Sequence, residues 1–140
     1  MDFSFTAEQR QIAAAIAKTC KRFDDSYWLA RDRTGDFPHD FCSALAADGW
    51  LGIAMPESYG GAGLGITEAA LMMQTIAESG AAMSGCSAVH MNIFGPNVIV
   101  VFGTDEQKAR MLPPLIGGQT RACFGVTEPD TGLDTAHLKT

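Results

Sequence analysis

Most apolar positions in this chain recur every three to four residues. Ile12, Ile16, Cys20, Phe23 and Tyr27 form one such stripe, the buried side of an amphipathic helix. Thr6-Ala7-Glu8-Gln9 reads as a capping box that opens it. The rhythm stops between Arg31 and Asp36, which predicts a solvated loop. Pro38 suits the first turn of a second helix, with Phe41, Leu45 and Ala46 facing inward and Gly49 as its C-cap. Trp50 to Gly65 is glycine-rich and has no period, so it is expected to be a connecting loop folded over the helices. A third helix is expected from Thr67, with Ile66 and Leu71 as a hydrophobic staple, Met72, Met73, Ile76 and Ala77 as its apolar face and Gly80 as its end. Residues 84–102 are almost all apolar, and Gly95-Pro96 should kink or split them. Val98–Phe102 alone would pass for a strand; in this helical context it reads as the second half of a buried helix. Gly103 closes that helix. Thr104-Asp105-Glu106-Gln107 is a second capping box, and Pro113-Pro114 should stop the short helix it starts.

The period changes after Arg121. Ala122, Phe124 and Val126 alternate with Cys123, Gly125 and Thr127, the signature of a strand. At Thr127-Glu128-Pro129 a turn is expected, with Asp130 and Gly132 suited to a sharp change of direction. The pattern therefore predicts an all-α bundle, orthogonal or up-and-down, of five to six helices over residues 1–119. One or two strand segments follow over residues 120–140. A single strand leaves its backbone donors and acceptors unpaired, so these segments are expected to belong to a β-domain whose other strands lie outside this chain.

Composition narrows the chemistry. The 140 residues are 46% hydrophobic and 19% charged, enough for one domain with a real core and against disorder. The formal net charge of -6, with no basic run, argues against a nucleic-acid partner. No uninterrupted apolar run reaches ~18 residues, so no membrane span is expected. The start, MDFSFTAEQRQ, has no basic-then-apolar leader and little arginine, and the expected location is cytoplasmic. The four cysteines are scattered without a CxxC pair and read as small buried thiols in a reducing compartment, with no metal site expected. The glycines of Trp50–Gly65 satisfy neither GxGxxG nor a loop ending in GK[ST].

Two places invite a ligand. Gly125 leaves one face of the predicted strand bare, so a flat molecule can approach the backbone closely. Thr127 brings a hydroxyl to the strand's end, and the loop behind it offers N–H groups. A planar heterocycle with a polar edge would suit that arrangement, although an ordinary strand and tight turn would produce the same letters. His90, alone in an apolar stretch with no second ligand at metal spacing, reads first as a hydrogen-bonded core residue.

The wording of the segments adds to this. FGVTEP followed by GLD and then HLKT resembles the flavin-binding segment of the acyl-CoA dehydrogenase family. LAADGWLGIAMPESYGGAGLG resembles that family's structural loop between its second and third helices, and GTDEQKARMLPPLIGGQ its segment just before the flavin strand. The resemblance runs over essentially the whole chain. It implies FAD, with the ring against Phe124 to Thr127, held by backbone groups of Phe124 and Val126 and by the Thr127 hydroxyl. Leu133 stands where family members often carry a serine that reaches the FAD diphosphate, and leucine donates no side-chain hydrogen bond. Any such contact would have to come from backbone N–H groups. His90, Met91 and Phe94 fall where the family's fourth long helix lines the acyl pocket. The implied reaction is α,β-dehydrogenation of an acyl-CoA thioester, with electron-transfer flavoprotein or a similar acceptor and a homotetrameric assembly. The family's catalytic base, a glutamate, matches neither Glu57 nor Glu128, so no catalytic residue is assigned here. An acyl-CoA oxidase, or a helical interaction module without flavin, stands as the alternative.

Overall fold

A computed structural model describes residues 4–139. Among them the regular secondary structure is helical, in seven α-helices joined by short 3-10 and π turns. The all-α expectation holds.

Helix α1 (Ala7–Cys20) begins on the predicted capping box: Thr6 accepts from the Gln9 N–H, and the Gln9 side chain accepts from the Thr6 N–H. The stripe from Ile12 to Tyr27 is not one helix. The chain turns after Cys20, and Asp24 caps a new helix, α2 (Asp25–Thr34), by accepting from the Tyr27 N–H at 3.0 Å. The stripe survives the break because Phe23, Tyr27 and Trp28 all pack on the core cluster. Helical spacing alone could not show the break; the signal was the Asp-Asp-Ser run, a good N-cap. Helix α2 also occupies the stretch read as loop, ending at Gly35, whose φ of 74° is the left-handed C-cap geometry.

Pro38 is the N-cap of α3 (His39–Ala47), and Gly49, at φ 80°, lies just beyond its end. The glycine-rich loop follows as two 3-10 turns, Trp50–Gly52 and Glu57–Tyr59. It is folded on itself by backbone bonds, including Ala62 N–H to Gly52 C=O at 2.9 Å and Leu64 N–H to Ile53 C=O at 3.0 Å. It carries Leu51 and Ile53 into the main core and Met55 into a second cluster with Leu112, Leu115 and Ile116. As expected, it is a structural loop.

Helix α4 spans Ile66–Ile76, one residue earlier than predicted, with Gly65 as N-cap. The Glu68 carboxylate accepts from the Gly65 N–H at 3.0 Å and from the Gln9 amide at 2.9 Å, tying the starts of α1 and α4 together. No staple forms, since Ile66 is largely exposed. A π turn, Ala77–Ala81, bends the chain at Gly80, whose φ is 96°. Helix α5 (Ala82–Phe94) and the short α6 (Asn97–Phe102) flank the predicted Gly95-Pro96 break. By length and apolarity, Ile66–Phe102 would pass as a membrane span with a hydropathy of 1.3. It is interrupted at Gly80 and Pro96 into helices of 11, 13 and 6 residues, against ~20 needed to cross. Helix α6 is not buried as expected: Val98, Val101 and Phe102 all face outward, Phe102 with 81% of its surface exposed.

Helix α7 (Asp105–Ile116) starts on the second capping box and runs through Pro113 and Pro114 instead of stopping there. Proline removes its own N–H yet keeps its carbonyl. The Gly117 N–H bonds the Pro113 carbonyl and the Gln119 N–H that of Pro114, both at 2.9 Å. Burial of Leu112, Leu115 and Ile116 holds this last turn in place.

The main core is built chiefly where α1 packs on α4, with α3 and α5 closing it. Four aromatic rings seal one end. Phe41 meets Phe23 and Trp28 edge-on, at centroid distances of 5.4 and 4.9 Å, and Tyr27 touches both Phe23 and Trp28.

Candidate functional site

Residues 121–127 have no regular secondary structure, so the predicted strand does not form as a ladder. Its alternation is real, but no neighbouring strand is present among the described residues to pair with it. The turn does form: Glu128 and Thr131 exchange both backbone hydrogen bonds, at 3.0 and 3.1 Å, around Pro129-Asp130. Thr131 is buried and its hydroxyl donates to the His137 carbonyl at 3.3 Å, while the Lys139 N–H donates to the Glu128 carboxylate. The last residues thus fold back over the turn.

The entry to this segment is held from below by Asn92 of α5. Its amide nitrogen donates to the carbonyls of Thr120 at 2.9 Å and Leu115 at 3.4 Å, and its oxygen accepts from the Ala122 N–H at 2.9 Å. Asn92 is 7% exposed. Sequence reasoning missed it, although a polar residue between Val89 and Ile93, both on the buried face, must find partners. Arg121 is held too. Its guanidinium lies over the Phe37 ring at 3.8 Å and donates to His39 Nδ1 at 3.1 Å. Near it, burial pushes the Cys42 thiol up to about 11, against the opposing pull of Arg121. Cys42 therefore stays a thiol and is no nucleophile.

Beyond Ala122 the chain is free of such ties. From Cys123 to Thr127 no backbone hydrogen bond is made among the described residues. Phe124 and Val126 are exposed, 59% and 41%. A side chain added at Gly125 would meet nothing within 4 Å. Phe124 lies at the lip of a hollow of about 480 Å³ floored by Pro96, Ile99, Pro114, Leu115 and Ala122. Phe94 borders a different hollow, of about 510 Å³, with Met55, Leu64, Ile93, Asn97 and Val100. Helix α6 contributes residues to both and so separates them. His90 and Met91 line neither; His90 is half-buried, with Nδ1 3.2 Å from the Ser87 carbonyl. Leu133 is fully exposed and touches none of the other candidates. The structure thus groups Phe124, Val126 and Thr127 on one open segment and leaves His90, Met91, Phe94 and Leu133 apart from it. No three metal-ligating side chains cluster among the described residues.

This segment fits a flavin in one respect that the structure itself supplies. Unpaired N–H and C=O groups alternate with exposed apolar side chains, and a flat amphipathic ring satisfies both at once.

Residues 6–119 match the acyl-CoA dehydrogenase, N-terminal domain. The chain belongs to the acyl-CoA dehydrogenase family. It is 34% identical over 141 aligned residues to an acyl-CoA dehydrogenase of Mycobacterium tuberculosis, covering 99% of this chain and 36% of that protein. With the mitochondrial isovaleryl-CoA dehydrogenase of Pongo abelii the identity is 33%, over 94% of this chain and 31% of the relative. With an acryloyl-CoA reductase (NADH) of Anaerotignum propionicum it is 30%, over 100% and 35%. A chain in the structure described as "Electron transferring flavoprotein of Acidaminococcus fermentans: Towards a mechanism of flavin-based electron bifurcation" superposes with a TM-score of 0.86 at 29% identity, covering 98% of this chain and 36% of that one. This member of the family thus spans about a third of the length of the relatives it matches.

Proposed function

We propose that the protein is an FAD-dependent acyl-CoA dehydrogenase to which this chain contributes the helical domain, residues 1–119, and the opening of the β-domain, residues 120–140. The observation that carries the reading is the open segment Cys123–Thr127: its backbone is unpaired, its apolar side chains are exposed, and it ends in a closed turn. When bound, FAD supplies the acceptor for the hydrogen removed from the acyl chain as hydride. The residues of this chain bind and orient. Backbone groups of Phe124 and Val126 meet the polar edge of the ring, the Thr127 hydroxyl donates to it, and Phe124 covers its flank. Leu133 brings no donor, so the diphosphate takes backbone N–H groups there. His90, Met91 and Phe94 of α5 belong to the acyl pocket in this reading. The glutamate base comes from outside the chain. The acyl-CoA substrate and an electron-transfer flavoprotein acceptor are supported by the relatives' names, and a homotetramer completes the proposal.

The reductase relative favours a second direction for the same chemistry, saturation of an enoyl-CoA. One experiment covers both. The visible spectrum of the complete protein is recorded anaerobically before and after a panel of saturated acyl-CoAs, and, after reduction, of enoyl-CoAs. Flavin bands that bleach with a saturated thioester establish the dehydrogenase. Bands that return only with an enoyl-CoA establish the reductase, and rapid oxygen consumption on turnover an oxidase. Absence of flavin after reconstitution overturns the reading in favour of a helical interaction module.

Thr127→Val tests the ring contact. Losing one neutral hydrogen bond at a covered site weakens FAD binding by ~1 kcal/mol, roughly fivefold. Unchanged affinity together with an unchanged rate of flavin reduction removes Thr127 from the site.

A further inference from the structure

We infer that Asn92 is a positioning residue: from inside the helical domain it sets the register in which residues 123–127 are presented to the flavin. The inference rests on the flavin reading of that segment. Three features of the geometry carry it. All three Asn92 hydrogen bonds go to backbone of residues 115–122, more than twenty positions away, and none returns to its own helix. Two of the partners, Thr120 and Ala122, bracket Arg121 on either side, so the chain is gripped at both ends of one residue immediately before its free stretch. The amide also fits in one orientation only, because turning it over would set its oxygen against two carbonyls and its NH₂ against an N–H.

The grip decides which side chains face which way. Ala122 packs against the cluster of Met55, Leu112, Leu115 and Ile116, and Phe124 lines the same hollow as Ala122. In an extended run, positions two apart share a face. A slip of one residue at Ala122 would turn Phe124 and Val126 to the opposite side and take the Thr127 hydroxyl with them. Beyond Ala122 no hydrogen bond among the described residues corrects such a slip. Arg121, stacked on Phe37, steadies the same point from outside.

The test compares Asn92→Leu, of similar size but unable to hydrogen-bond, with Val89→Ala. Val89 is buried one turn earlier on α5, so its truncation loosens the helix without touching the grip. In the complete protein, amide hydrogen exchange across residues 120–127 should quicken about tenfold in Asn92→Leu relative to α5 peptides, and FAD should bind roughly tenfold more weakly, from the loss of two or three hydrogen bonds. Val89→Ala should lower the Tm yet leave both readings near wild type. Equal exchange in the wild type and Asn92→Leu, or equal loss of FAD in both variants, overturns the inference. A wild-type protein that takes up no FAD instead sinks the flavin reading, and the exchange data then decide the grip alone.

Discussion

Phe41→Ala should destabilise the helical domain by about 3–5 kcal/mol, a large part of the 5–15 kcal/mol typical of a folded domain. Phe41 has no exposed surface. Its ring closes the aromatic group by meeting Phe23 at 5.4 Å and Trp28 at 4.9 Å, both edge-on. Truncation removes the transfer energy of the ring, leaves a cavity and breaks two aromatic contacts, each worth ~0.5–1.5 kcal/mol beyond area. The cavity cannot close easily, because its walls belong to three elements: the α1–α2 turn, α2 and α3. Thermal unfolding followed by helical circular dichroism should show a Tm lower by well over ~10 °C. A fall of only a degree or two would mean that the aromatic group is not a core.

Gly61→Ala should be nearly as damaging, for a reason of backbone space. A Cβ at Gly61 would sit 2.1 Å from the Met55 carbonyl oxygen and 2.4 Å from its carbonyl carbon. Those are backbone atoms and cannot rotate away. The loop must therefore open, and with it go Ile53 from the main core and Met55 from the second cluster. A loss of about 3 kcal/mol or more is expected, within the range for forced overpacking. Gly132→Ala is the control, since nothing lies within 4 Å of a Cβ there; its midpoint in urea should match the wild type. If the two variants unfold at the same urea concentration, the close approach at Gly61 does not exist.

How much was legible in the letters can be judged from particular residues. The two capping boxes were readable because a cap is a local device: Thr6 and Gln9, or Thr104 and Gln107, are three residues apart and need no partner elsewhere. The Gly95-Pro96 break was readable for the same reason. The split between α1 and α2 was not read, because the apolar spacing from Ile12 to Tyr27 fits one helix as well as two that share a core. Pro113 and Pro114 misled in the opposite sense. A local rule ended the helix, and the burial of Leu115 and Ile116 carried it on. The exposure of α6 was illegible, since an apolar run looks the same whether its neighbours cover it or not.

The candidate site divides along the same line. The sequence by itself determined the helical class, the glycine-rich structural loop and the turn at Glu128–Thr131, and its wording marked Phe124, Val126 and Thr127 as one segment. These depend on contacts within a few residues or on a long specific string. Only the tertiary structure decided that Asn92 grips that segment across some thirty residues of chain, that Arg121 stacks on Phe37, and that Phe94 borders a different hollow from Phe124. The physical reason is that hydrogen-bond partners and packing neighbours are chosen in space. A residue's type sets what it needs, and the fold alone sets who supplies it.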